Sequence, residues 1–261
     1  MNDKSKPPPN SLEGWAETEA GLVRRAPPRY GDYWENARLF SWLLADFVKS
    51  VSVDREMFVR WLSQAKKHQA LAVLSTARLH AVQASMDMRQ VLESGAYAAY
   101  ALANPAIDQN VILDDDGLIK KTASKPAYAW LDQNFPAASG QIKAIKDAIN
   151  ETFAHAYLQN THQNFEWSGD GQMMETPFFD IEDDHLVKTR LWQIANIARG
   201  LLDLYYAVRK KHGGFVFRDD FEAIFRTLSQ QNDALRDEMM ATDRYKAAMA
   251  TGAAKLSKAK V

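Results

Sequence analysis

The sequence predicts an all-α fold, an antiparallel helical bundle of five to seven helices with one or two small β-hairpin excursions. Three observations lead there. Apolar residues recur at helical spacing through long segments. Proline and glycine are sparse inside those segments, and only two short stretches carry hairpin turn chemistry. A series of amphipathic helices buries its apolar stripes most simply in a bundle.

The elements follow in chain order. Residues 1–30 hold Pro7-Pro8-Pro9 and Pro27-Pro28 with few apolar anchors, so they read as a disordered N-terminal arm that touches the fold only through Trp15 or Leu22. From Tyr33 to Val48 the positions Trp34, Ala37, Phe40, Leu44, Phe47 and Val48 mark a first amphipathic helix. Asp54 is the expected N-cap of the next. Between Asp54 and Asn104 there is no proline and the only glycine is Gly95, which gives one very long helix or two with a break near Ser85. Pro105 ends it. The stretch from Gly95 to Ala103 is apolar on nearly every face and belongs at the centre of the bundle.

Asn110 to Lys121 offers two β-prone runs around an Asp-Gly turn, with an ordinary loop as the alternative. A calcium loop would need more liganding oxygens and a terminal glutamate in register. Pro126 introduces a brief helix through Leu131, and Ser139 starts another that runs to about Gln159. Asn164 to Phe178 is a second hairpin candidate. A long helix from Glu182 to Lys211 stops at Gly213-Gly214. The last, from Asp219, aligns Phe221, Ile224, Phe225, Leu228, Leu235 and Met239 on one face. Residues 31–243 thus form a single helical domain. Residues 244–261, where Arg244, Lys246, Lys255, Lys258 and Lys260 meet no acid, form a basic flexible tail.

Composition narrows the function. The 261 residues are 46% hydrophobic and 25% charged, ordinary values for a folded chain. Zero cysteines exclude a disulfide framework, a thiolate metal site and a cysteine nucleophile. A formal net charge of −1 gives no global attraction to nucleic acid. The first 30 residues lack an apolar signal core, and the Ala96–Ala103 stretch falls far short of the roughly 20 residues that span a bilayer. The expected location is cytoplasmic, with no membrane partner.

The informative positions are charges inside apolar stripes. On a helical wheel Val82, Met86, Arg89, Tyr97 and Tyr100 all lie within about 40° of Glu93. Arg190 is likewise surrounded by Leu186, Val187, Ile194 and Ile197. Isolated charges at such places are costly, so Arg89 and Glu93 should pair with each other or with another helix. If the two faces meet, Arg89, Glu93 and Arg190 form a net-positive cluster able to hold an anion. Lys146, about 70° from the Ile142, Ile145, Ile149, Phe153 stripe, is placed to join it.

Two of the six histidines have a carboxylate at helical spacing, Glu151 before His155 and Glu182 before His185. A di-iron bundle needs two Glu-x-x-His elements and two further glutamates. Only one such element is present, at an acidic helix start where dipole complementation accounts for the acids, and no metal or other cofactor is implied. Zinc-protease, phosphate-loop, dinucleotide and nucleophile-elbow motifs are missing from the sequence.

The runs from Met88 to Ala103 and from Ile142 to Ala156 resemble uncharacterised bacterial all-helical proteins distantly similar to the HEPN class (higher eukaryotes and prokaryotes nucleotide-binding). Many members of that class are ribonucleases of toxin and phage-defence systems. The resemblance covers about 70 residues, from His80 to Tyr157, with gaps. It implies RNA cleavage where an arginine is followed by a polar residue and, five to seven positions after the arginine, a histidine. Asn150 and His155 match the polar residue and the histidine, but Ile149 stands at the arginine position. Lys146, Arg89 or Arg190 would then have to supply the missing cation. The expected function is a non-catalytic binding or dimerising protein, a homo-oligomer in the latter case. The alternative is a HEPN-like ribonuclease or nucleotide-binding protein acting on RNA or a nucleotide.

Overall fold

Burial of one face organises even the segment that the sequence marks as an arm. In the computed structural model, which describes residues 8, 10–114, 116, 119–153, 164–167, 173–247 and 250, Leu12–Tyr30 is an α-helix, α1. Ser11 caps it, its hydroxyl accepting from the Gly14 N–H at 3.1 Å. Leu22, Ala26 and Tyr30, four residues apart, are buried on one side, and the Trp15 ring stacks on Phe178 at 4.3 Å. The expectation of a disordered arm through residue 30 is therefore corrected. Pro27 and Pro28 sit in the last turn, where the hydrogen bonds they remove are outweighed by packing.

Helix α2 (Asp32–Asp46) follows after Gly31 at φ 55°, and it buries Trp34, Ala37, Phe40 and Leu44 as the periodicity predicts. Strand β1 (Val48–Val51) and a 3-10 turn over Val53–Arg55 lead to α3 (Glu56–Ala77), so Asp54 lies inside the turn and does not cap the helix. Between α3 and α4 (Ala81–Ala103) the chain reverses at Arg78–His80, seven residues before the expected neighbourhood of Ser85. The Leu79 N–H donates to the Thr76 carbonyl and the His80 N–H to the Ser75 carbonyl, the bonding of a Schellman C-cap. Its left-handed position, φ 61°, is filled by Leu79 where glycine is usual. Two bonds hold this strained turn: the Asp180 N–H donates to the Leu79 carbonyl, and the Asp180 carboxylate accepts from the Ala81 N–H.

Helices α3 and α4 pack as an antiparallel hairpin, Trp61 facing Tyr97 and His68 facing Asp87. The apolar second half of α4 is buried from Ala98 through Leu102, in the centre of the bundle as expected. A short helix α5 (Ile107–Asn110) precedes β2 (Val111–Leu113) and β3 (Ile119–Thr122), which pair antiparallel. Helices α6 (Ser124–Asn134) and α7 (Pro136–Phe153) come next, then the small antiparallel pair β4 (Glu166–Trp167) and β5 (Met174–Glu175). Helix α8 (Asp184–His212), capped by Asp183, ends at Gly213, φ 68°. Strand β6 (Phe215–Phe217) and α9 (Phe221–Ala241) complete the described chain apart from a short helical segment before residue 250.

Strand β6 pairs antiparallel with β1 across most of the sequence. No hairpin turn announces that pair, so it is invisible to local pattern. Around it an aromatic cluster closes one end of the bundle: Phe47 stacks on Tyr205 at 5.6 Å, Phe58 on Phe215 at 5.4 Å, and Phe217 on Phe221 at 4.2 Å. The architecture is all-α with small two-stranded sheets. No helix among the described residues is long and apolar enough to cross a membrane.

Candidate functional site

Each charge that the sequence places in an apolar stripe finds a partner, but the partners divide into two groups. In the first, the Arg89 Nε donates to Glu93 Oε1 at 3.2 Å along α4. Lys146 reaches over from α7 and meets the same Glu93 oxygen at 3.0 Å. Its ammonium also donates to the Tyr128 hydroxyl at 2.8 Å and lies 4.6 Å from the centre of that ring. Burial pulls the Lys146 pKa down, yet its hydrogen bonds with Tyr128 and Glu93 more than offset this and leave it raised. Tyr97, packed beside them, has its hydroxyl pKa raised by burial. Glu93, Tyr97, Tyr128 and Lys146 line a shallow depression between α4, α6 and α7.

The second group is Arg190 with Glu182. The guanidinium donates twice to one carboxylate, Nη1 to Oε2 at 2.6 Å and Nη2 to Oε1 at 2.7 Å. The Arg190 side chain is 9% exposed and that of Glu182 0%. Thus Arg190 does not join Arg89 and Glu93 in one net-positive cluster; it is neutralised by an acid that precedes its own helix. Glu182 is correspondingly engaged by Arg190, and among the described residues no three His, Asp or Glu side chains gather as a metal site would require.

Between α4, α7 and α8 lies a cleft of about 570 Å³, within the usual range of small-molecule sites. Met88 comes from α4, Ile145, Ile149 and Phe153 from α7, and Trp192 and Ile197 from α8. Ile145, Ile149, Phe153 and Ile197 belong to apolar stripes that the sequence displays, Met88 and Trp192 do not, and where these helix faces do not quite meet they leave this space. Arg190 lines it too, with its charge spent on Glu182. The Trp192 indole N–H donates to the Asn232 carbonyl at 3.0 Å and the Thr189 hydroxyl to the His185 carbonyl at 2.8 Å. Ser85, also lining the cleft, is 1% exposed, and its Oγ has no hydrogen-bond partner.

Of the two residues matched to the ribonuclease motif, Asn150 lies on α7 one turn after Lys146, its Oδ1 buried without a partner. His155 lies outside the described residues. Sequence reasoning passed over Ser85, taken as a helix break, and the dyad of His68 Nδ1 with the buried Asp87 Oδ1 at 2.9 Å, which ties α3 to α4. A serine in the middle of an apolar stripe was the signal for the first; nothing local links residues 68 and 87. Compared with protein-family models, with curated proteins and with solved structures, the chain matches none.

Such an arrangement is suited to noncovalent binding. Apolar walls supply the driving force, and the ions nearest the cleft are already paired with each other.

Proposed function

We propose that this chain is a non-catalytic binding protein and that the cleft between α4, α7 and α8 is where it binds. One observation carries the reading: among the described residues the cleft is lined mainly by apolar side chains, and the one charged group on its wall, Arg190, is held in a bidentate pair with Glu182. A site of that composition attracts apolar surface, and its described residues offer no general base or nucleophile held by a partner.

Nile red, a neutral fluorophore that brightens when it leaves water, tests this directly. Wild-type protein should bind it saturably. Ala148→Trp, at an exposed position on the cleft wall, should fill the space and abolish binding with the fold retained. Absence of saturable binding, or binding that ignores Ala148→Trp, overturns the reading. Sedimentation over a wide concentration range separates this from dimerisation: a dimer that Ala148→Trp dissociates would make the cleft a self-association face. RNA degradation that is lost in His155→Ala would replace it with the ribonuclease activity that the HEPN resemblance implies.

A further inference from the structure

Three features of the cleft bear on what it would hold. First, among the described residues it carries no spare charge. Both terminal nitrogens of Arg190 donate to Glu182, whose side chain is wholly buried, so an anionic head group arriving here would face a carboxylate that cannot swing into water. Second, most of its polar groups are occupied. The Thr189 hydroxyl and the Trp192 indole N–H have backbone acceptors, and the Asn196 side-chain Oδ1 accepts from the Asn232 Nδ2 at 3.2 Å. Gln193 is exposed, where water serves it. Third, the Ser85 hydroxyl has neither a protein partner nor solvent. It does not bond back to the preceding turn, the usual recourse of a helical serine. Leaving a buried hydroxyl unpaired is costly, and an incoming acceptor would recover that cost.

We infer that the cleft selects neutral, largely apolar molecules carrying a carbonyl, an ester or ketone for example, with Ser85 donating to the carbonyl oxygen and the hydrocarbon part against Met88, Ile149, Phe153 and Trp192. The inference rests on the binding reading above and names its ligand class. With a ligand bound, Ser85, which lines the cleft, presents its hydroxyl to that space. A carbonyl suits the site better than an alcohol, because it brings no donor of its own to a wall where the Ser85 hydroxyl lacks an acceptor and the Thr189 hydroxyl already has one. A carboxylate of the same chain length would lose its hydration and gain no countercharge.

The test is displacement of Nile red from the wild-type protein at neutral pH by methyl decanoate and by decanoate, which share an acyl chain and differ in charge. Methyl decanoate should compete at concentrations about tenfold lower or better. Ser85→Ala should weaken the ester roughly three- to tenfold and leave decanoate unchanged. The unliganded Ser85→Ala protein should melt no lower than wild type, since alanine favours the helix and removes an unpaired hydroxyl. A purely structural serine would not produce that combination. Decanoate competing as well as the ester, or an ester affinity indifferent to Ser85→Ala, overturns the ligand class, while Nile red binding that remains sensitive to Ala148→Trp preserves the cleft as the binding site. Failure of Nile red to bind saturably removes both.

Discussion

Replacing Glu182 with glutamine isolates the contribution of the most deeply buried ion pair. In Glu182→Gln the shape is kept and one amide oxygen can still accept from Arg190, but the NH2 now opposes a guanidinium nitrogen and the charge on Arg190 is left uncompensated. With the side chains of the pair 9% and 0% exposed, breaking it falls in the range of about 3–5 kcal/mol found for one-sided removal of buried ion pairs. The adjoining cleft lets water approach Arg190, which favours the lower end, about 3 kcal/mol. That is a large part of a total stability of about 5–15 kcal/mol. For a chain of this size it corresponds to a melting temperature roughly 6–12 °C lower. Urea denaturation monitored by circular dichroism gives the free energy. The double variant Glu182→Met, Arg190→Met should regain most of the loss, because two apolar groups replace a pair whose attraction is largely offset by desolvation. A Glu182→Gln protein within about 0.5 kcal/mol of wild type would refute the reasoning, since no unpaired buried charge could then have been created.

Two further outcomes concern packing and pH. A Cβ added at Gly95 would lie 2.5 and 2.6 Å from the two Leu201 methyls and 3.1 Å from its Cγ, so Gly95→Ala should destabilise by about 1–3 kcal/mol. At Gly200 nothing lies within 4 Å, and Gly200→Ala should stabilise by about 0.5–1 kcal/mol. The same denaturation assay reads both, and equal behaviour of the two variants would contradict the close approach of α4 and α8. Burial raises the Asp180 pKa from 3.8, against the lowering effect of its bonds from the Ala81 N–H and Asn164. The folded state therefore holds this proton more tightly than the unfolded chain. Its stabilisation is complete below the unfolded pKa and is lost as pH rises through the folded one. Asp180→Asn should consequently gain stability relative to wild type as pH rises through that window, measured as the difference between their denaturation midpoints at each pH. A difference that shrinks over the window would reverse the sign of the shift.

Much of the fold was legible because helical periodicity is local. The stripes of α2, α8 and α9, the all-round apolar end of α4, the stop at Pro105 and the glycine after α8 each follow from side chains within a few turns of one another. Local rules failed at three places. The proline-containing α1 was concealed by its own breakers, because Leu22, Ala26 and Tyr30 are buried by tertiary packing of α1 against α2, α3 and α8. The α3–α4 turn was displaced because its left-handed residue is Leu79, held in place by Asp180 from a hundred residues away. The β1–β6 pair joins the segment before α3 to the segment after α8 and carries no turn signal.

The candidate site shows the same division. That Arg89, Glu93, Lys146 and Arg190 needed partners was decided by the sequence itself, since a charge in an apolar stripe must be neutralised wherever the stripe is buried. Arg89, Glu93 and Lys146 do meet, the first two through helical spacing alone. Which acid would take Arg190 was left to the tertiary structure. Glu182 stands outside the helix that carries Arg190, so no helical periodicity relates them, and only the path of the chain into α8 brings the two together. The cleft beside them has the same origin: the sequence sets the apolar faces of α4, α7 and α8, while the space left where those faces diverge depends on how three separate helices pack.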